Sequence, residues 1–180
     1  DERAKFLADV HRLVGEVFGG DDDDDDAPLA FARSLVAVDA VWVASRRSGV
    51  PIRSDDDAPP SSPRLLRRGA ADHHHRAAAA AAAETAFGLF RRAAAPLRLV
   101  EPSPQSYGDA RRACRRYLSR DACRAATLVL LANDPYYGGL GDDVIVATSS
   151  PSSGGLALRH ELGHALGDVG EEYDGGDDYS

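Results

Sequence analysis

Apolar residues recur along the chain at two different periods, and the changes between them predict its elements. Phe6, Leu7, Val10, Leu13, Val14, Val17 and Phe18 fall at helical spacing, which predicts an amphipathic helix over residues 1–18 ended by Gly19-Gly20. The run LVAVDAVWVA, Leu35 to Ala44, is dense in β-branched residues around Trp42 and predicts a strand, with SRRSG at 45–49 turning the chain. Ala77 to Arg92 is predicted helical on alanine propensity. Ser106 to Ala126 predicts a second, basic helix with Tyr107, Cys114, Tyr117 and Leu118 turned inward.

TLVLLA at 127–132 and VIVAT at 144–148 are short, continuous apolar runs of the kind that buried strands show. Between them Asn133-Asp134-Pro135 breaks the first run, and residues 136–141 read as a Gly-rich loop. A second loop covers 149–155, and Leu156 to Leu166 predicts the last helix. From Asp168 the chain is acidic and Gly-rich to Ser180. Strands alternating with helices place the chain in the mixed α/β class. Its 180 residues suit a single domain over 1–180.

Two segments cannot join the core. Six consecutive aspartates, Asp21 to Asp26, repel one another and hold water. Residues 53–76 are rich in Pro, Ser, Asp and Arg and end in His73-His74-His75, three adjacent histidines that cannot all face one metal from a helix or strand. Residues 21–26 and 54–76 therefore read as insertions. No apolar run approaches the roughly 18 residues of a membrane span, so no span is expected.

The net charge of −8 is unevenly spread. Residues 1–57 hold 14 acids and 7 bases, 58–126 hold 5 and 13, and 127–180 hold 10 acids against Arg159 alone. A basic middle raises the question of a polyanion partner. Its arginines are not interleaved with aromatics that would stack bases, and the acidic last third would repel phosphate, so no nucleic-acid partner is expected. With 20 Arg against the single Lys5, beside poly-Ala and poly-Asp tracts, the basic middle reads as compositional bias. Cys114 and Cys123 lie nine apart, a spacing unlike the paired CxxC units of a zinc ribbon. It allows either a disulfide between two turns of local structure, which favours an oxidising compartment, or two buried thiols. A chain that begins at Asp1 and holds no Met reads as a mature form or an excised piece, with no targeting segment to be read.

The chemistry lies in the last helix. His160-Glu161-Leu162-Gly163-His164 is an HExxH, a pattern expected by chance on the order of once in a few hundred chains of this length. Histidines four apart share a helix face and can both reach one Zn²⁺. Glu161, about 100° round the helix, is left to act as a base on a water that zinc acidifies towards pKa ~7. It can then deliver the proton to a leaving amine. Gly167 stands where a metzincin-type helix ends, but the third histidine of that pattern would fall at Gly170. Carboxylates follow at Asp168, Glu171, Glu172 and Asp174. A turn over 167–170 would return Glu171 or Glu172 to the metal, with Glu171 preferred and Glu172 second, whereas Asp168 is too near the helix end to fold back.

The run HELGHALGDVGEEYDGG resembles the IgA-peptidase family of zinc metallopeptidases, whose motif reads roughly HExxHxxGxxxDEY. LLANDPYYGGLGDDVIVATSS is similar to that family's strand, Asn-Asp, Tyr-Gly-Gly loop and strand before the metal helix. VDAVWVASRRSGV is similar to its early strand, and ETAFG at Glu84 to Gly88 to its Asp-Thr-Ala-Phe-Gly. The resemblance covers residues 31–50, 84–90 and 127–175 in the same order. It implies a zincin-like catalytic domain, with a mixed sheet, flanking helices and a zinc-binding active-site helix. His160 and His164 would be zinc ligands, Glu161 the catalytic base, Glu171 the third ligand where the family usually has Asp, and Tyr173 a contact to substrate or transition state. It also implies a protein or peptide substrate and an extracellular, secreted setting. The chain departs from the family in Glu171, in its two insertions, in lacking any Met for a turn beneath the zinc, and in ending seven residues after Tyr173, which reads as a truncated C-terminus.

Two other readings of the residues stand beside the zinc metallopeptidase. One is an inactive zinc-binding module that recognises a protein partner. The other is a calcium- or polyanion-binding surface built on Asp21 to Asp26 or Asp174 to Asp178, which lacks EF-hand spacing and would more readily hold a structural Ca²⁺ behind the zinc helix. Val144 to Thr148, immediately before that helix, is expected to be the edge strand that pairs with extended substrate.

Overall fold

The computed structural model describes residues 1–19, 27, 29–53, 85–93, 100–141 and 144–167. Helix α1 (Glu2–Phe18) starts where the Asp1 carboxylate accepts the Arg3 backbone N–H, and stops at Gly19, whose φ of 86° suits glycine. Of its apolar positions, Leu13, Val17 and Phe18 are buried, while Leu7 stays exposed. A 3-10 helix (Ala30–Leu35) follows and packs on α1.

The remaining elements are β1 (Ile52–Arg53), β2 (Arg91–Arg92), α2 (Ser106–Tyr117), α3 (Arg120–Ala125), β3 (Val129–Ala132), β4 (Gly139–Leu140), β5 (Ile145–Thr148) and α4 (Gly154–Gly167). β1 and β2 form a two-stranded parallel pair. The main sheet has the order β3-β5-β4, with β3 parallel and β4 antiparallel to β5. The class is mixed α/β with a small mixed sheet.

β5 is the middle strand of this sheet, and residues along it alternate between two cores. Ile145 and Ala147 join Leu13, Val17, Phe18, Leu158 and Leu162, so α1 and α4 cover that face. Val144 and Val146 join Leu89, Val100, Ala110, Leu130 and Ala132 on the other face, with α2 contributing Ala110. A strand covered on both sides reads as an unbroken apolar run, which is why VIVAT shows no polar alternation.

Several expectations are corrected. Residues 36–45 take neither helix nor strand, and Leu35 begins that stretch as the end of the 3-10 helix. β-branched residues make a strand only where a neighbour supplies ladder hydrogen bonds. Here Leu35 and Val38 are exposed, and Trp42 instead lays its ring against Phe6 with centroids 5.3 Å apart. Residues 85–92 are not helical: a turn leads to Gly88 at φ 65° and into β2, where Phe90 pairs with Glu101. Ala77 to Glu84 lie outside the described residues. The basic helix is two helices, α2 ending at Leu118 and α3 beginning where the Ser119 hydroxyl accepts the Ala122 N–H. Cys114 is buried, Tyr107 and Leu118 are half-buried, and Tyr117 points outward. Cys114 and Cys123 are disulfide-bonded, fastening α2 to α3. VIVAT is the central strand and not the edge, because β4 occupies the side left open by β3. Among the described residues no helix is long and apolar enough to cross a membrane.

Candidate metal centre

α4 is held against α1 and β5 by contacts that only small residues permit. A Cβ on Gly154 would come within 2.6 Å of the Thr148 carbonyl oxygen, and one on Gly155 would meet the Glu16 carboxylate. Glu16 is in turn fixed by Arg12 at 2.7 Å, and the same guanidinium donates to the Ser149 carbonyl at 3.0 Å. Buried Leu158 and Leu162 complete the inward face. Helical geometry then turns His160 outward, where it is exposed, with His164 half-buried one turn further on.

The two imidazoles meet edge to face with ring centroids 4.6 Å apart, and their Nε2 atoms lie 3.2 Å from each other. In a tetrahedral site with Zn–N bonds of ~2.0–2.1 Å, neighbouring ligand nitrogens are about 3.3–3.4 Å apart. The pair therefore fits two corners of a zinc site. Among the described residues, no group of three His, Cys, Asp or Glu is placed to hold a metal. Glu171, Glu172, Asp168, Tyr173, Asp174 and the later aspartates expected to hold Ca²⁺ lie outside the described residues, as do Asp21 to Asp26 and His73-His74-His75.

Glu161 is half-buried, and its carboxylate lies beside Gly139 of β4 and the following Gly141. Its Oε1 would be 3.1 Å from a Cβ on Gly139, and a Cβ on Gly141 would fall against Oε2. The carboxylate thus lies along the backbone of an edge strand, at the boundary between α4 and β4. Residues 136–141, expected to be a Gly-rich loop, include the short strand β4 at Gly139–Leu140. The available signal for this close approach was the Gly-x-Gly step at 139–141, which on a strand puts both glycines on one face. Leu140 turns the other way and packs on the second core.

The approach to β4 is also fixed by residues that sequence reasoning missed. Arg91 is buried, and its Nε lies 3.1 Å from Asp134 Oδ2 while Nη2 donates to the Tyr137 carbonyl at 3.0 Å. Asp134 Oδ1 accepts the Tyr136 N–H at 2.8 Å, and Thr148 Oγ1 donates to the Tyr136 carbonyl at 2.7 Å. Gly138 fits closely inside this frame, since a Cβ there would come within 2.8 Å of Val100 and 2.9 Å of Thr148. A buried Arg–Asp pair leaves no obvious mark in sequence, because neither residue belongs to an apolar pattern.

The site is thus a half-exposed histidine pair on one helix, with a carboxylate one residue along that turns to the neighbouring edge strand. No family model matches the chain, and no curated protein matches it.

Proposed function

We propose that this chain is a zinc-dependent endopeptidase domain of the IgA-peptidase type that hydrolyses peptide bonds in protein substrates. The observation that carries the reading is the convergence of His160 and His164, with Nε2 atoms 3.2 Å apart, on a helix that also carries Glu161. His160, His164 and Glu171 would hold the zinc. When bound, the metal supplies Lewis-acid polarisation and makes a water acidic enough to be used near neutral pH. Glu161 takes the proton from the attacking water and gives it to the leaving amine, so its carboxylate carries the proton from one step to the next. The half-buried position of that carboxylate suits proton transfer in a site from which bulk water is partly excluded.

Substrate is read as an extended segment laid along β4, the strand that ends the sheet beside α4. Pairing there would bring a scissile carbonyl along the boundary that Glu161 faces. The disulfide joining Cys114 to Cys123 agrees with a secreted protein acting in an oxidising compartment.

The test is zinc stoichiometry on wild type and on Glu171→Ala, beside a casein-type cleavage assay with Glu161→Ala as control. The expected result is one zinc per chain, weaker binding in Glu171→Ala, and cleavage abolished in Glu161→Ala with zinc retained. Zinc bound without any cleavage in wild type would favour a binding module. A chain that takes up no zinc would remove the site altogether.

A further inference from the structure

We infer that Gly139 and Gly141 form the seat of the Glu161 carboxylate, making Gly141 a positioning residue for the base. The inference rests on the peptidase reading for its kinetic consequence, but its geometry stands apart from that reading. Gly139 opens β4 and Gly141 directly follows it, and a Cβ on either would meet one oxygen of the same carboxylate: Oε1 from Gly139, Oε2 from Gly141. Ala157, one helical turn before Glu161, sits against Gly139, so a small residue of α4 meets a small residue of the strand beside the carboxylate. A carboxylate laid flat on a strand is restrained in rotation and kept on the β4 side of its helix. That is the side on which an extended substrate would lie.

The two glycines differ in what a methyl group would disturb. At Gly139 an added Cβ would press on Ala157 Cβ at 3.2 Å, and so on the packing of α4 against the strand. At Gly141 the atoms it would meet all belong to Glu161, chiefly the far end of a flexible side chain that can swing away. The Gly141 backbone is not in the left-handed region, so alanine is not strained there. Gly141→Ala should therefore leave the fold intact and move the base off its seat.

The experiment compares wild type, Gly141→Ala, Glu161→Asp and the double variant in zinc content, melting temperature, kcat and KM. In parallel, nuclear Overhauser contacts from the Glu161 side chain to the Gly139 and Gly141 Hα protons are measured in metal-free protein. Gly141→Ala is expected to lower kcat about 10- to 100-fold, within the share of rate that a positioned general base supplies. KM, zinc content and melting temperature should hold. Glu161→Asp, one methylene shorter, should cost much less in the Gly141→Ala background than in wild type, the non-additivity expected of residues in contact. The Overhauser contacts should be present in wild type and lost in Gly141→Ala. Absence of those contacts in wild type, or a wild-type kcat in Gly141→Ala, would overturn the seat. If wild type binds zinc and cleaves nothing, the peptidase reading fails while the Overhauser contacts still decide the seat.

Discussion

Asp134 is a buried carboxylate with a partner on each oxygen. Its carboxylate meets the buried Arg91 guanidinium at 3.1 Å on one oxygen and holds the Tyr136 N–H at 2.8 Å on the other. Removing one partner of a buried ion pair strands the other charge in a poorly solvated place, which costs more than the pair contributed. Asp134→Ala is expected to lower unfolding free energy by about 3–5 kcal/mol, measured by urea denaturation. A loss below ~1 kcal/mol, the range of an exposed pair, would contradict this account. Arg92 and Glu101 at 2.7 Å are more exposed and should matter less. The same frame leads into Gly139 and Gly141, so a residue far from the histidines in sequence acts on the wall opposite Glu161.

Among elements, α2 and α3 show how a short connection changes a helix prediction. Ser106 to Ala126 has helical composition throughout, yet Leu118 is extended and Ser119 begins a new helix with its own cap. The Cys114–Cys123 disulfide then joins buried positions on both pieces, closing a nine-residue separation. Six residues of α3 cannot sustain a helix alone, so the cross-link and the Ser119 cap hold it in place. In the chain-entropy account a loop of this size is worth roughly 2–3 kcal/mol. Cys114→Ser with Cys123→Ser should lower stability by that amount, read by denaturant titration against the oxidised protein. The zinc stoichiometry should be unchanged, because α4 packs on α1, β4 and β5.

For the whole molecule, β5 is the organising strand. It separates the α1/α4 core from the core that includes Leu89, Val100 and Ala110, and it sets α4 beside β4. A ligand that binds the folded state only adds RT ln(1 + [L]/Kd), about 2.7 kcal/mol at one hundred times Kd. Zinc at that ratio should raise the melting temperature by roughly 5–10 °C for a chain of this size. The shift should vanish in His160→Ala with His164→Ala. An equal shift in that double variant would place the zinc elsewhere.

Whatever depends on neighbours within a few positions could be read along the chain. The amphipathic spacing of Leu13 and Val17, the apolar runs of β3 and β5, and the placing of His160 and His164 on one face of α4 follow from helical and strand periods alone. The disulfide was legible only as one of two outcomes, since spacing does not say whether two thiols meet. Features that need a second segment came from packing instead. Leu35 to Ala44 did not become a strand, because strand propensity needs a ladder partner. Phe90 to Arg92 left the helical prediction because Glu101 and Ile52 pair with them. The edge strand beside α4 is β4 and not VIVAT, because strand order comes from the packing of three segments and not from their order along the chain. The seat of Glu161 on Gly139 and Gly141 belongs to the same kind. A close approach between a helix side chain and a strand backbone is set by the packing of α4 on the sheet, and the glycines mark it in sequence only as small residues.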